Sequence, residues 1–184
     1  DSGRLGASLA LFTTTRPRAF VNDQNLFGEA GEDRHRGLEL SVFGEALPGL
    51  RVLGGLTFLD AEQRSTGSPG TDGRKVIGVP TAQASLGLEW DVPGLRGVAL
   101  DTRWLASRGV YANGSNTLRV PGWGTLDIGA RYLTEIAGKA VTFRANLNNV
   151  ANRDYWASSG GYPGSGYLVL GTPRTFVLSA SLDL

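Results

Sequence analysis

The chain shows its clearest order at the C-terminal end, as a period of two. In residues 174–184, Phe176, Leu178, Ala180, Leu182 and Leu184 fall on one face, while Thr175, Val177, Ser179, Ser181 and Asp183 fall on the other. Alternation at every second position marks a β-strand with one apolar and one mostly polar side. The segment is about ten residues long, which is what a tilted strand needs to cross a bilayer core. Similar patterns recur upstream. Residues 4–13 alternate weakly around Leu5, Ala7, Leu9 and Leu11, extend through residues 13–15, and are expected to end near Pro17. Leu38, Leu40 and Val42 oppose Glu39 and Ser41; Val52, Gly54, Leu56 and Phe58 share the next face. The cleanest case sets Ala82, Ala84, Leu86, Leu88 and Trp90 against Gln83, Ser85, Gly87 and Glu89. Three more follow: Val98, Leu100, Thr102 and Trp104; Leu126, Ile128, Ala130 and Tyr132; Val141, Phe143, Ala145 and Leu147. The pattern predicts about eight strands and no helix of useful length.

The connections alternate as regularly as the residues. Long polar stretches at 21–32, 60–79, 106–121 and 152–173 are separated by short turns at 46–49, 91–94 and 134–138. Short turns on one side and long loops on the other are the layout of an outer-membrane barrel, with the short turns periplasmic. Two of the turns repeat the run Pro-Gly-Leu-Arg, at 48–51 and 93–96. Proline followed by glycine suits a type II turn, in which the second central residue takes positive φ. The expected fold class is therefore all-β: an antiparallel transmembrane β-barrel.

Composition sharpens this picture in a few places. The 27 glycines are about twice the usual share, and many fall inside strands, where they ask for bends, bulges or close wall packing. Cysteine is absent, which excludes disulfides and thiolate metal sites. The net charge is +1 and the only lysines are Lys75 and Lys139, so no basic cluster argues for nucleic acid. No apolar run is long enough for a spanning helix. The first residues lack the basic start and apolar stretch of a signal peptide, so a membrane reading expects a mature chain or one cut from a longer protein.

The same alternation fits two orientations. A soluble barrel points its apolar face inward; a membrane barrel points it at lipid. Phe58, Trp90, Trp104 and Tyr132 stand at strand ends, where girdle aromatics meet headgroups. Rings plugging the rim of a soluble core would occupy the same positions. Asp101 with Arg103, and Asp127 with Arg131, read as a ladder of charges along a lumen wall. His35 is the only histidine, set between Arg34 and Arg36. A cationic setting makes it a poor base, so no Ser/His/Asp arrangement is proposed and no enzyme is read. Asp60 and Asp72 are too few and too far apart for a calcium loop. Asn146, Asn148 and Asn149 either line a lumen or cap a strand end. No cofactor is implied.

Longer motifs add a family resemblance. Residues 146–156, Asn-Leu-Asn-Asn-Val-Ala-Asn-Arg-Asp-Tyr-Trp, precede a Gly/Tyr-rich loop and then the run Gly171-Thr-Pro-Arg-Thr-Phe. This resembles the end of TonB-dependent siderophore receptors, where an Asn-rich strand end precedes a Gly-x-Pro-Arg lead into the terminal strand. Residues 31–39, Gly-Glu-Asp-Arg-His-Arg-Gly-Leu-Glu, resemble a strand start of the same family, with His35 where serine is usual. The resemblance covers essentially the whole chain. One departure is the final Leu184, where phenylalanine is more usual.

The resemblance implies a barrel of about 22 strands with a plugged lumen. Residues 1–184 would be its C-terminal β-barrel segment, with the plug domain and earlier strands absent. It implies a role in uptake of ferric siderophores, with a ferric siderophore as ligand, outer-membrane lipid around the wall, and the TonB complex engaged through the missing N-terminal part. The loop aromatics Tyr111, Trp123, Tyr155, Trp156, Tyr162 and Tyr167 are candidate ligand contacts from the extracellular side. The family's use of arginine in that vestibule adds Arg108, Arg119 and Arg153. Two alternatives stay open on sequence alone. One is a stand-alone eight-stranded outer-membrane barrel with a structural or adhesive role, its first and last strands paired. The other is a soluble ligand-binding barrel of lipocalin type.

Overall fold

The computed structural model describes residues 5–21, 27–162 and 165–183. Among them lie twelve strands and no helix: β1 (Leu5–Val21), β2 (Phe27–Leu47), β3 (Leu50–Arg64), β4 (Ala82–Asp91), β5 (Val98–Ser107), β6 (Val110–Tyr111), β7 (Arg119–Val120), β8 (Trp123–Ile136), β9 (Lys139–Asn148), β10 (Trp156–Tyr162), β11 (Ser165–Leu170) and β12 (Thr175–Leu182). Eight of them build one sheet in the order β1-β2-β3-β4-β5-β8-β9-β12. Each neighbouring pair is antiparallel. The wall is therefore an up-and-down meander, and its eight strands are those that the alternation predicts. Leu184 lies outside the described residues.

Register carries the alternation from strand to strand. Leu9 stands opposite Leu40, Leu40 opposite Leu56, and Leu56 opposite Ala84. Further round, Leu86 meets Trp104, Trp104 meets Leu126, and Ile128 meets Leu147, which meets Phe176. Because paired residues share a face, one side of the sheet is a continuous apolar band. A slip of one residue would turn a strand's leucines to the polar side. Leu9 is 65% exposed and Leu178 is 68% exposed, as a wall built to stand against lipid requires. Phe58, Trp90, Trp104 and Tyr132 all lie on this face and are exposed.

The opposite face is polar and held by ions. Arg51 Nη2 binds Glu89 at 2.6 Å and Asp91 at 2.7 Å. Arg131 reaches the same two carboxylates at 3.2 and 3.5 Å, and Arg103 binds Asp127 at 2.8 Å. These pairs correct the ladder expected from sequence. Asp127 pairs with Arg103 across the strands, and Arg131 turns to Glu89 and Asp91. Residues two or four apart on one strand stand roughly 7 Å or more apart, whereas directly opposite residues are about 5 Å apart. Some strand glycines make room on this face. A Cβ on Gly37 would lie 2.4 Å from the Phe12 ring, which folds across it from the adjacent strand.

The short connections behave as expected. Gly49 and Gly94 take φ of 77° and 81°, the positive values that the Pro-Gly turns require. The long connections need correction. β1 continues past Pro17 to Val21, and β2 begins at Phe27, so most of the 21–32 stretch is strand. β1, β2 and β3 contain 17, 21 and 15 residues, well beyond the ten or so that cross a bilayer. Their outer halves carry mostly polar residues on both faces, so the hydrophobic alternation that marks a strand is missing there. The 106–121 stretch holds the β6–β7 hairpin, and the 152–173 stretch holds the β10–β11 hairpin.

The closed eight-stranded barrel is also corrected. β1 and β12 are the two ends of the sheet order and do not pair with each other among the described residues. Each is left with an unpaired outer edge, which is untenable in lipid.

If the apolar band faces lipid, Leu86→Arg or Ile128→Arg should destabilise the wall by about 2–4 kcal/mol at mid-membrane depth. Unfolding of the full protein in lipid vesicles measures this, and a change at Ser85 on the other face is the control.

Candidate functional site

At the end of the wall that carries the long connections, the outward face changes character. Below Leu38 and Phe58 it is apolar; above them Arg36 stands opposite Asp60, and Arg34 opposite Glu62. Arg34 binds Glu62 at 3.3 Å and Arg64 binds the same carboxylate at 2.6 Å. Lys75 bonds to Asp60 and, at 3.4 Å, to Glu62. This switch marks the membrane boundary on the wall. Above it, the Arg64 hydrogen bond outweighs burial and holds the Glu62 carboxyl below the usual range. The Asp60 hydrogen bond raises Lys75.

The inner face at the same height holds a buried polar cluster. Asp33 is 4% exposed. Arg18 lies 3.4 Å from it and Arg16 4.0 Å. Burial outweighs these guanidiniums and pushes the Asp33 carboxyl up. His35 shares this face, opposite Thr14 and Ala61. Gln63 joins the cluster by accepting a hydrogen bond from Arg18 at 2.8 Å.

The connections above the wall are knit to one another. Residues 73–76 run back along β3: the Gln63 amide donates to the Arg74 carbonyl, and the Val76 amide to the Ala61 carbonyl. The Gly78 amide donates to the Tyr111 carbonyl at 2.9 Å. Gly78 also abuts the hairpin after β9, since a Cβ there would meet the Ser159 carbonyl oxygen. The loop before β4, the loop before β8 and the β10–β11 hairpin thus form one continuous rim.

Seven of the nine candidate contacts fall in two groups on this rim. Tyr111 and Arg119 pair across the β6–β7 hairpin, and Arg108 stands exposed at its base, with its amide donating to the Ala82 carbonyl. The second group is more compact. Trp123 and Tyr155 stack with ring centroids 4.7 Å apart and planes tilted by 36°. Beside them a cleft of about 310 Å³ is lined by Pro121, Gly122, Arg153, Asp154, Tyr155, Trp156 and Leu170. Gly171 sits against the Tyr155 ring, and a Cβ there would come within 2.3 Å of it. So Trp123, Arg153, Tyr155 and Trp156 are brought together. Tyr167 stands apart on β11, opposite Gly160 and 60% exposed. The Tyr162 side chain lies outside the described residues.

Asparagines organise this end of the molecule. Asn149 is 3% exposed. Its Oδ1 accepts the Arg153 amide at 2.9 Å, and its Nδ2 donates to the Arg153 and Thr172 carbonyls at 2.9 and 3.0 Å. Its own amide donates to Asp127 at 2.7 Å. Asn152 Oδ1 accepts the Arg174 amide at 3.1 Å. The Asn-rich run and the Gly-Thr-Pro-Arg run are therefore two halves of one clamp, which sets the base of the loop that carries Arg153, Tyr155 and Trp156. Of the polar anchors, Gln63 and Asn116 carry no sequence signal, because the Arg18 guanidinium and the Lys75 and Gly114 backbone groups they bind belong to other segments of the chain.

Comparison with known proteins gives a consistent set of matches. The profile described as TonB dependent receptor-like, beta-barrel matches residues 1–150. The ferrichrome receptor FcuA of Yersinia enterocolitica is 39% identical over 185 residues, covering 100% of this chain and 24% of that protein. The crystal structure of BauA, the ferric preacinetobactin receptor of Acinetobacter baumannii, aligns with a TM-score of 0.86 at 40% identity, over 100% of this chain and 28% of that one. The siderophore receptor PiuA of the same species aligns at 0.79 and 26% identity, over 96% of this chain and 26% of its own. The chain thus spans about a quarter of the length of these relatives.

Two expectations follow. Asn149→Ala leaves buried backbone groups unpaired and should cost about 1–3 kcal/mol, read as a lower unfolding midpoint of the full protein in lipid. Glu62 has a depressed pKa, so its contribution is present above the ordinary glutamate range and is lost as pH falls through the folded-state value. Asp33 has the opposite sign: its raised pKa favours the folded state at low pH and that contribution fades as pH rises. Because Glu62 is one of the two carboxylates that hold Lys75, proteolysis of the 65–81 loop should accelerate on acidification in the native protein. Glu62→Gln should remove that acid sensitivity.

Proposed function

The chain belongs to the TonB-dependent receptor family, through its β-barrel, and from that premise we propose that it is the C-terminal barrel portion of an outer-membrane receptor that takes up ferric siderophores. It resides in the outer membrane of a Gram-negative bacterium. The observation that carries the reading is the open eight-stranded wall, apolar outside, ionic inside, with a rim of knit loops at its outer end. Open edges suit a wall completed by further strands of a longer polypeptide, and they disfavour a barrel that closes by itself.

The rim offers chemistry suited to a ferric chelate. Arginine guanidiniums attract anionic donor groups and bond them in a fixed plane. Aromatic faces add stacking area and cation–π contact. Arg153 with the Trp123–Tyr155 pair and Trp156 is the strongest such set, and Arg108, Tyr111, Arg119, Tyr162 and Tyr167 complete the proposed contacts. The relatives are named for different chelates, ferrichrome for FcuA and ferric preacinetobactin for BauA, so the proposal is made for the class. The protein acts by binding and passage, without bond-making catalysis. Energy enters through the TonB complex, which engages the N-terminal part of the complete receptor.

The test is uptake of radioactive iron by the complete receptor, in cells without competing receptors, using ferrichrome, ferrioxamine B and ferric preacinetobactin. Uptake of at least one chelate should require TonB. Arg153→Ala combined with Tyr155→Ala should weaken its binding about tenfold or more, equivalent to roughly 1.4 kcal/mol. Uptake that is indifferent to TonB, or binding untouched by both changes, would overturn the proposal.

A further inference from the structure

Gln63 ends the inner face of β3 and is the largest fully buried side chain among the described residues, at 1% exposure. Its amide oxygen and both amide hydrogens are each engaged by a different segment. Oε1 accepts from Arg18 at 2.8 Å, and Nε2 donates to the Lys75 carbonyl and to the Gly114 carbonyl, each at 2.9 Å. Only a primary amide offers one acceptor and two donors in one plane; a carboxylate cannot donate and a guanidinium cannot accept.

Asn116 mirrors the arrangement from the other side. It holds a left-handed φ of 60°. Its Oδ1 accepts the Lys75 amide at 2.7 Å and its Nδ2 donates to the Lys75 carbonyl at 3.0 Å. Lys75 is thus gripped at both backbone groups by a residue of the next loop. β4 separates β3 from β5 in the sheet, so the loop that leaves β5 must lean back across the top of β4 to make these bonds.

We propose that Gln63 and Asn116 are positioning residues that fasten the 108–122 loop to the 65–81 loop and hold Tyr111 and Arg119 over the mouth. This rests on the uptake reading above for the purpose of the mouth, but not for the fastening itself. The two loops form one preformed body, and a ligand meets this part of the rim with its ordering cost already met. Any closure over a bound chelate moves the two loops together.

The fastening is tested on the complete receptor in lipid, without ligand. The Lys75 and Gly78 amides are the reporters, because their acceptors, Asn116 Oδ1 and the Tyr111 carbonyl, lie in the other loop and neither amide touches Gln63. Gln63→Glu keeps an acceptor for Arg18 but cannot donate to either carbonyl. It should speed hydrogen exchange at both reporters about tenfold, the weight of one or two net hydrogen bonds, and leave β8 and β9 unchanged. Acidification that protonates the introduced carboxyl restores a donor and should narrow the difference from wild type measured at the same pH, a pH profile that a space-filling role would not produce. Wild-type exchange at both reporters in Gln63→Glu overturns the proposal. If that variant does not assemble, Asn116→Asp, which loses the donor to the Lys75 carbonyl, carries the same expectation at Gly78. Dissociation of ferrichrome and ferric preacinetobactin is then compared: faster release of whichever chelate binds supports the positioning role, and unchanged release overturns it. A wild type that binds no chelate counts against the uptake reading alone, and the exchange result still decides the fastening.

Discussion

Hydrocarbon can neither donate nor accept a hydrogen bond, so every backbone group that crosses it must be paired within the protein. Much of the wall follows from this. Its strands run antiparallel to sequence neighbours, which lets turns as short as Pro48-Gly49 join them. Successive side chains then point alternately to lipid and lumen, and the register must hold the leucines of seven strand pairs in one band. The constraint also explains why the sheet cannot be the whole object in a bilayer. The outer edges of β1 and β12 present unpaired ladders, and lipid supplies no partner for them.

Past the membrane boundary the rule relaxes and the means of support change. Water could satisfy the backbone there, yet β1, β2 and β3 remain paired to their ends. Side chains have taken over from lipid as the organising influence: Glu62 bridges Arg34 and Arg64 on the outside, while Arg18, Asp33 and Gln63 fill the inside. Exposed ion pairs contribute little singly, but the buried amide of Gln63 and the buried carboxamide of Asn149 would be costly to leave half-paired. Rigidity at the rim therefore comes from neutral polar groups more than from charge.

The parts of the fold that were legible in the sequence are those governed by the two-sided environment. Residues 82–91 alternate cleanly because Leu86 and Ser85 face different media. Residues 27–36 do not alternate, since polar side chains occupy both faces and the inner one meets the buried cluster at Asp33, and their strand character is invisible until Arg34 is seen opposite Glu62. The β10–β11 hairpin was hidden because its apolar run, Tyr167 to Leu170, does not alternate with polar residues. The Asn-rich run and the Gly-Thr-Pro-Arg run stood out as motifs, but their joint role depends on Asn149 reaching Thr172, a contact that spacing does not reveal. Among the candidate contacts, Trp123 and Tyr155 could be picked out as loop aromatics. Their stacking across more than thirty residues could not.

The knitting of the rim bears on how such receptors can be re-engineered. Loops are commonly treated as exchangeable cassettes on a fixed scaffold. Here the segment between β5 and β8 ends its Gly114 carbonyl on a strand two positions away in the sheet. Transplanted alone into a foreign wall, it would arrive without Gln63 or the Lys75 backbone to receive it. The structural unit on this side of the rim is the pair of loops together with the tip of β3, and chimeras cut along those seams keep the unit whole.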